Sequence, residues 1–246
     1  MKKKLIALLA GALMTVAMAG NALAYFESEY TLIRVVYDAA GTIEVATDLG
    51  TVNGSTVNLT NGGATSAFNL SMFGSSTSLD NLYVSYFAVA NTTQDVWASG
   101  SLTNALGSNG RGFASLNGAA NLTRSTFNSA GGSTGTVESA QSLANSYWSQ
   151  MDKGGAGAGL LAAYIISGNI EASLADLATI GYVDQAFYFF DAAKVSSTGV
   201  QIATLRTLAD GSTVLNPSSS AVPVPAAVYL LGSGLLGLVG LRRKMS

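Results

Sequence analysis

Tyr30-Thr31-Leu32-Ile33-Arg34-Val35-Val36-Tyr37-Asp38 is the run whose reading decides the fold. Thr31, Ile33, Val35 and Tyr37 alternate with Leu32, Arg34 and Val36, so apolar groups stand on both faces. Its β-branched and aromatic content favours a strand over a helix. After Ala40-Gly41, residues Thr42 to Thr47 place Ile43 and Val45 on one face and Thr42, Glu44 and Ala46 on the other. The two runs read as a β-hairpin.

Outward from this hairpin, Gly50 to Ser78 is rich in Gly, Asn, Ser and Thr, with brief apolar alternations at Val57, Leu59 and at Phe68, Leu70. Short strands joined by turns are expected there. Leu82 to Ala90 is a nearly continuous apolar strand, and Asp95 to Ala98 carries Trp97 into the core. From Ser99 to Gly135 the Gly, Asn and Ser density predicts a long, partly irregular surface region. Val137, Ala140, Ala144, Tyr147 and Met151 recur at three or four residues and predict one amphipathic helix, with Thr134 or Thr136 as cap and Gly154-Gly155 as stop. Ile170, Leu174 and Leu177 predict a shorter helical turn or two. Leu160 to Ser167, Val183 to Phe190 and Gly199 to Thr207 read as strands, and Ala209-Asp210-Gly211-Ser212 as a hairpin turn into Thr213 to Leu215. No fixed repeat is visible, which argues against a solenoid or propeller. The expectation is a mainly β chain: an antiparallel β-sandwich or barrel-like domain with one or two helices, plus a C-terminal transmembrane helix.

Lys2, Lys3 and Lys4 precede an apolar run from Leu5 to Ala19 and the triplet Ala22-Leu23-Ala24. A basic start, a short apolar core and an A-x-A site are the parts of a secretory signal peptide, with Ala22 and Ala24 at the cleavage site and Tyr25 beginning the mature chain. The organisation expected is a signal peptide over 1–24, a secreted mainly-β domain over 25–215, a linker over 216–221 and a sorting segment over 222–246. Between the two ends lie six basic and fourteen acidic residues, a net charge of −8. That sign repels phosphate backbones, so nucleic acid is not an expected partner.

The chain has no cysteine and no histidine. Disulfides, zinc sites built on Cys or His, and triads with an imidazole base are excluded. Gly157-Ala158-Gly159-Leu160-Leu161-Ala162 fits a loose dinucleotide fingerprint but lacks the strand before it and the surrounding βαβ unit. No cofactor is expected, and no EF-hand-like calcium loop is present. Paired carboxylates remain available for glycoside hydrolysis: Glu27, Glu29, Glu44, Glu138 and Glu171, with Asp80, Asp95, Asp152, Asp176, Asp184 and Asp191. None stands in a recognisable catalytic setting. Tyr83, Tyr86, Trp97, Tyr147 and Trp148 are candidates for a sugar-binding face, although their strand and helix spacing fits core better. Asn-x-Ser/Thr triplets begin at Asn53, Asn58, Asn69, Asn91 and Asn121, and composition alone accounts for them.

After the linker the chain reads Val222-Pro223-Val224-Pro225-Ala226, then an uncharged run to Leu241, then Arg242-Arg243-Lys244. Pro225 to Leu241 forms about 25 Å of helix, barely enough for a hydrocarbon core of about 30 Å. The basic cluster orients the segment with its C-terminus in the cytoplasm. Proline motif, Gly/Leu-rich helix and Arg cluster together closely resemble the PEP-CTERM group of bacterial sorting signals, in its Val-Pro-x-Pro-Ala form. Val224 stands where the commonest form of that motif has Glu. The resemblance implies recognition and cleavage near the proline motif by a membrane-embedded exosortase, in bacteria that make an exopolysaccharide matrix.

These readings lead to an exported, non-enzymatic protein of the cell envelope or extracellular matrix, in the membrane through its C-terminal helix before processing. Exopolysaccharide is a candidate partner. The competing classes are a carboxylate-dependent glycan hydrolase and a glycan-binding module, separable by whether two carboxylates lie about 5 to 9.5 Å apart in a cleft.

Overall fold

The computed structural model describes residues 25–26, 28–39, 42–60, 67–74, 77–130, 135–152, 159–166, 169–194 and 198–217. The signal-peptide residues Ala22 and Ala24, the motif Val222, Pro223, Val224, Pro225 and Ala226, the cluster Arg242, Arg243 and Lys244, and the expected transmembrane helix lie outside the described residues. Among the described residues no helix is long and apolar enough to cross a membrane.

The domain is mainly β, as the alternation predicts. Strands β1 (Thr31–Asp38) and β2 (Ile43–Asn53) form the expected antiparallel hairpin, with Val35 opposite Ala46 and Val36 opposite Val45. They are followed by β3 (Thr56–Leu59), β4 (Leu82–Val89), β5 (Val96–Gly100) and β6 (Gly107–Ser108). Later come β7 (Thr136–Ala140), β8 (Ile165–Ile166), β9 (Ala172–Ser173), β10 (Tyr182–Phe190), β11 (Val200–Leu208) and β12 (Thr213–Leu215). Among the described residues ten strands make one antiparallel sheet in the order β12-β11-β10-β5-β4-β1-β2-β3, with β7 on β2 and β9 on β4. β3, at one end of that order, reaches β11, next to the other end, so the sheet curls into a nearly closed barrel. β6 and β8 pair separately.

Strand alternation then divides the core in two. Inside the curl lie Leu32, Val36, Val84, Tyr86, Trp97, Phe187 and Leu205. Outside it, Ile33, Val35, Tyr37, Phe87, Val96 and Ala98 are covered by helical and loop segments. Arg34 follows the inward parity and is fully buried. Its guanidinium donates to Gly211 O at 2.7 Å, Thr213 Oγ1 at 2.8 Å and Thr47 Oγ1 at 3.0 Å, and lies 5.1 Å from the Phe68 ring centroid. Burial pulls its pKa down, and the charge of Asp210 is among the effects that oppose the shift.

Three segments correct the sequence expectations. The region read as irregular holds the long helix α1 (Ala114–Ser129). Its buried residues Leu116, Asn117, Ala119, Ala120, Thr123 and Phe127 keep helical spacing, but four of them are Ala, Thr or Asn, so apolar periodicity is faint. The helix expected over Val137 to Met151 is instead strand β7, a turn, and the single-turn helix α2 (Tyr147–Gln150), capped by Ser146. β2 has an open edge there, and β7 fills it from Ile43–Ala140 to Thr47–Thr136. Three elements in succession mimic a period of three to four. Leu160 to Ser167, expected as a strand, begins as α3 (Leu160–Tyr164) and becomes extended at β8. The turn expected near Leu174 and Leu177 is one 3-10 turn over Ala175–Ala178.

Candidate functional site

Antiparallel register sets Glu44 on β2, Tyr37 on β1, Tyr83 on β4 and Ser173 on β9 side by side in one row. Odd-numbered positions of β1 and β4 face the outer layer, so this row lies on the helix-covered side of the sheet. Onto it fold α2, Asp152 and Glu171. The Tyr37 hydroxyl donates to Glu171 Oε2 at 2.7 Å and approaches Asp152 Oδ1 at 3.3 Å, while the Tyr147 hydroxyl donates to Glu171 Oε1 at 2.8 Å. Glu44 accepts the backbone N–H groups of Tyr147 at 2.9 Å and Trp148 at 3.0 Å, which are free donors at the start of α2. Tyr37 stacks on Tyr83 at 5.8 Å and meets Trp148 edge-on at 5.5 Å.

Two of these acids, Glu44 and Glu171, hold their protons unusually well. Burial pushes Glu44 up to about 7, with the charge of Asp152 adding to it and the two α2 amides opposing it. Burial and then the charge of Asp152 push Glu171 up to about 7, against the two tyrosine hydroxyls. Burial, reinforced by Glu171, raises both Tyr37 and Tyr147. Asp152 and Glu171 meet at the Tyr37 hydroxyl. Among the described residues no group of three or more acids is arranged to hold a metal ion.

A groove of about 1000 Å³ opens beside this cluster where the sheet forks. β4 pairs with β5 at Phe87–Val89 but with β9 at Tyr83 and Val84. β5 leaves β10 at the Gly100–Ala186 pair, so no described strand pairs with Tyr182–Gln185 on that side. The carbonyl of Ile170 sits in the fork and accepts from Ser99 Oγ at 2.7 Å and Gln185 Nε2 at 3.2 Å. Tyr83, Tyr182, Asn169, Glu171 and Gln185 line the opening.

Of the acids singled out in the sequence, the fold gathers Glu44, Asp152 and Glu171. Asp176 and Asp184 reach the groove wall, and Asp184 is held by Arg206 through two contacts of 2.7 Å. The others are dispersed. Glu29 accepts from Thr92, Asp80 is capped by Ser78, Asp95 accepts the Ala192 amide, Asp191 pairs with Lys194, and Glu138 is exposed on β7. Glu27 lies outside the described residues. Among the aromatics, Tyr86, Trp97 and Tyr147 are core, with the Trp97 indole donating to Gly54 O at 2.8 Å. Only Tyr83 of that group lines the groove. Tyr37, Asn169, Tyr182 and Gln185 were not readable as site residues, because what joins them is sheet register and not sequence spacing. Asn91 and Asn121 bond each other, and Asn69 caps a 3-10 turn. Gly159 precedes the five-residue α3, too short to present a phosphate site.

No protein-family model, curated protein or solved structure matches the chain.

Proposed function

We propose that the chain is an exported, non-enzymatic protein of the cell envelope or extracellular matrix, delivered by its signal peptide and processed at its PEP-CTERM-like tail by an exosortase. The localisation rests on the order of proline motif, uncharged run and basic cluster in Val222 to Lys244. The non-catalytic reading rests on one structural observation. Both oxygens of Glu171 and both of Glu44 accept from groups of the domain's own framework, so the clustered acids fasten β1, β2, α2 and β9 together.

Changing Pro223 and Pro225 to Ala tests the sorting. The apolar run stays intact and alanine suits a helix better than proline, so plain anchoring survives. In a host carrying the exosortase, the double variant should accumulate as a longer, membrane-bound form. Equal mass and release for both proteins would reduce the tail to a simple anchor.

A glycan hydrolase is the second reading, favoured by Glu171, which lines the groove with a carboxyl pushed up to about 7. Against it stands the framework's hold on both acids: Glu171 accepts from Tyr37 at 2.7 Å and Tyr147 at 2.8 Å, and Asp152 accepts from Tyr37 at 3.3 Å. Release of reducing ends from a glycan panel, abolished by Glu171→Gln, would establish the hydrolase instead.

A further inference from the structure

We infer that the groove in the fork of the sheet is a binding site for an uncharged, polyhydroxylated glycan segment. The inference deepens the matrix-protein reading, and it rests on that reading for where the domain meets such a ligand.

The first support is the match between lining and ligand. Tyr83 and Tyr182 stand on the outer face at the two sides of the opening, and Leu102, Ile166 and Ile180, all exposed, form its rim. Such walls take the C–H faces of pyranose rings. Between them Asn169 and Asp176 offer acceptors, while the oxygens of Glu171 and Asp184 already accept from Tyr37, Tyr147 and Arg206. Acceptors call for a ligand rich in hydroxyl donors.

The second support is charge. No lysine or arginine is among the described residues lining the groove, whereas three carboxyls are, of which Asp184 is paired with Arg206. Phosphates, uronates and other polyanions are repelled, which removes most charged polymers from consideration.

The third support is an acceptor left over inside the wall. Gln185 is 2% exposed; its Nε2 is committed to the Ile170 carbonyl, which fixes the amide's orientation, and its Oε1 has no hydrogen-bond partner among the described residues. Buried side-chain acceptors are nearly always paired, so this one marks a place for a donor that arrives with a ligand. A fork with an unpaired strand segment gives the lining room to adjust by the small amount that contact requires.

Calorimetric titration of the full-length protein in a sugar-free detergent tests the site, using hexasaccharides of β1,4-glucose, α1,4-glucose and β1,4-N-acetylglucosamine, with hexagalacturonate and hexalysine as controls. At least one neutral hexasaccharide should bind saturably, and hexagalacturonate about tenfold more weakly or not at all. Asn169→Ala, an exposed position, should weaken binding about fivefold with melting unchanged, and Tyr182→Ala should do the same. If Tyr182→Ala lowers the melting temperature by freeing Arg206, Asn169→Ala alone carries the test. No binding of any neutral hexasaccharide at about 5 mM, equal affinity in the Asn169 variant, or binding of hexalysine alone would overturn the inference. Sorting is read separately: correct processing with no glycan binding sinks the groove site alone, and binding without processing sinks the sorting reading alone.

Discussion

The Tyr37 hydroxyl donates a 2.7 Å hydrogen bond to Glu171, joining the first strand to a residue 134 positions further along the chain. Because Tyr37 also stacks on Tyr83 and approaches Asp152, one phenol ties the hairpin, the fork of the sheet and the α2 region together. Tyr37→Phe keeps the ring and removes the donor. The expected loss is about 1–3 kcal/mol, the range for a hydrogen bond to a buried acid. Urea unfolding should show it more strongly at pH 8, where Glu171 is ionised, than at pH 5. An equal loss at both values would mean that the bond does not discriminate between the protonation states of Glu171.

Stability should fall as pH rises through neutrality. Glu44 and Glu171 are both raised from 4.5 to about 7 in the folded protein. An acid with a raised folded pKa favours folding while protonated in both states, so its contribution is complete below about 4.5 and lost as pH climbs through about 7. The loss is at most roughly 3 kcal/mol for each group. Thermal melts from pH 4.5 to 8.5 should therefore decline, and Glu171→Gln should flatten the decline. A rising profile over that interval would contradict the burial of both acids.

Arg34 is held inside the barrel by three acceptors and the Phe68 ring. Arg34→Ala leaves those acceptors without their donor and opens a cavity, with an expected cost of about 3–5 kcal/mol. Arg34→Lys should recover little of it, because a single ammonium cannot reproduce the planar fork that reaches both Gly211 and Thr47. Chemical denaturation of the two variants decides the point, and near-complete rescue by lysine would reduce the role of Arg34 to its charge.

Gly181 and Gly211 share a φ of 81°, yet their substitution should differ. A Cβ at Gly181 meets nothing within 4 Å, whereas at Gly211 it would overlap the backbone of Phe68. Gly181→Ala should cost about 1 kcal/mol from backbone strain alone. Gly211→Ala should cost at least about twice that, since it also displaces a carbonyl that Arg34 uses. Comparable melting temperatures for the two variants would show that the turn can move away from Phe68.

Local chemistry made several parts of this protein legible in its sequence. β1, β4, β10 and β11 follow from short-range alternation and apolar runs, and the Ala209–Ser212 turn from its Asp-Gly pair, because strand faces and turn dihedrals depend on adjacent residues. Absence of Cys and His fixed the excluded chemistry outright.

Tertiary structure decided the rest. Val137 and Tyr147 have the spacing of a helix, but β7 was claimed by the free edge of β2, an interaction with residues nearly a hundred positions away. α1 buries alanines and a threonine beneath a polar surface, a pattern whose hydrophobic signal is weak until the outer face of the sheet is there to receive it. Glu44, Asp152 and Glu171 were visible as three acids among fourteen. Their meeting with Tyr37 depends on the register of β1 with β2 and on the fork between β5 and β9. Register is a long-range choice made by packing both faces of a sheet at once, and no window of sequence contains it.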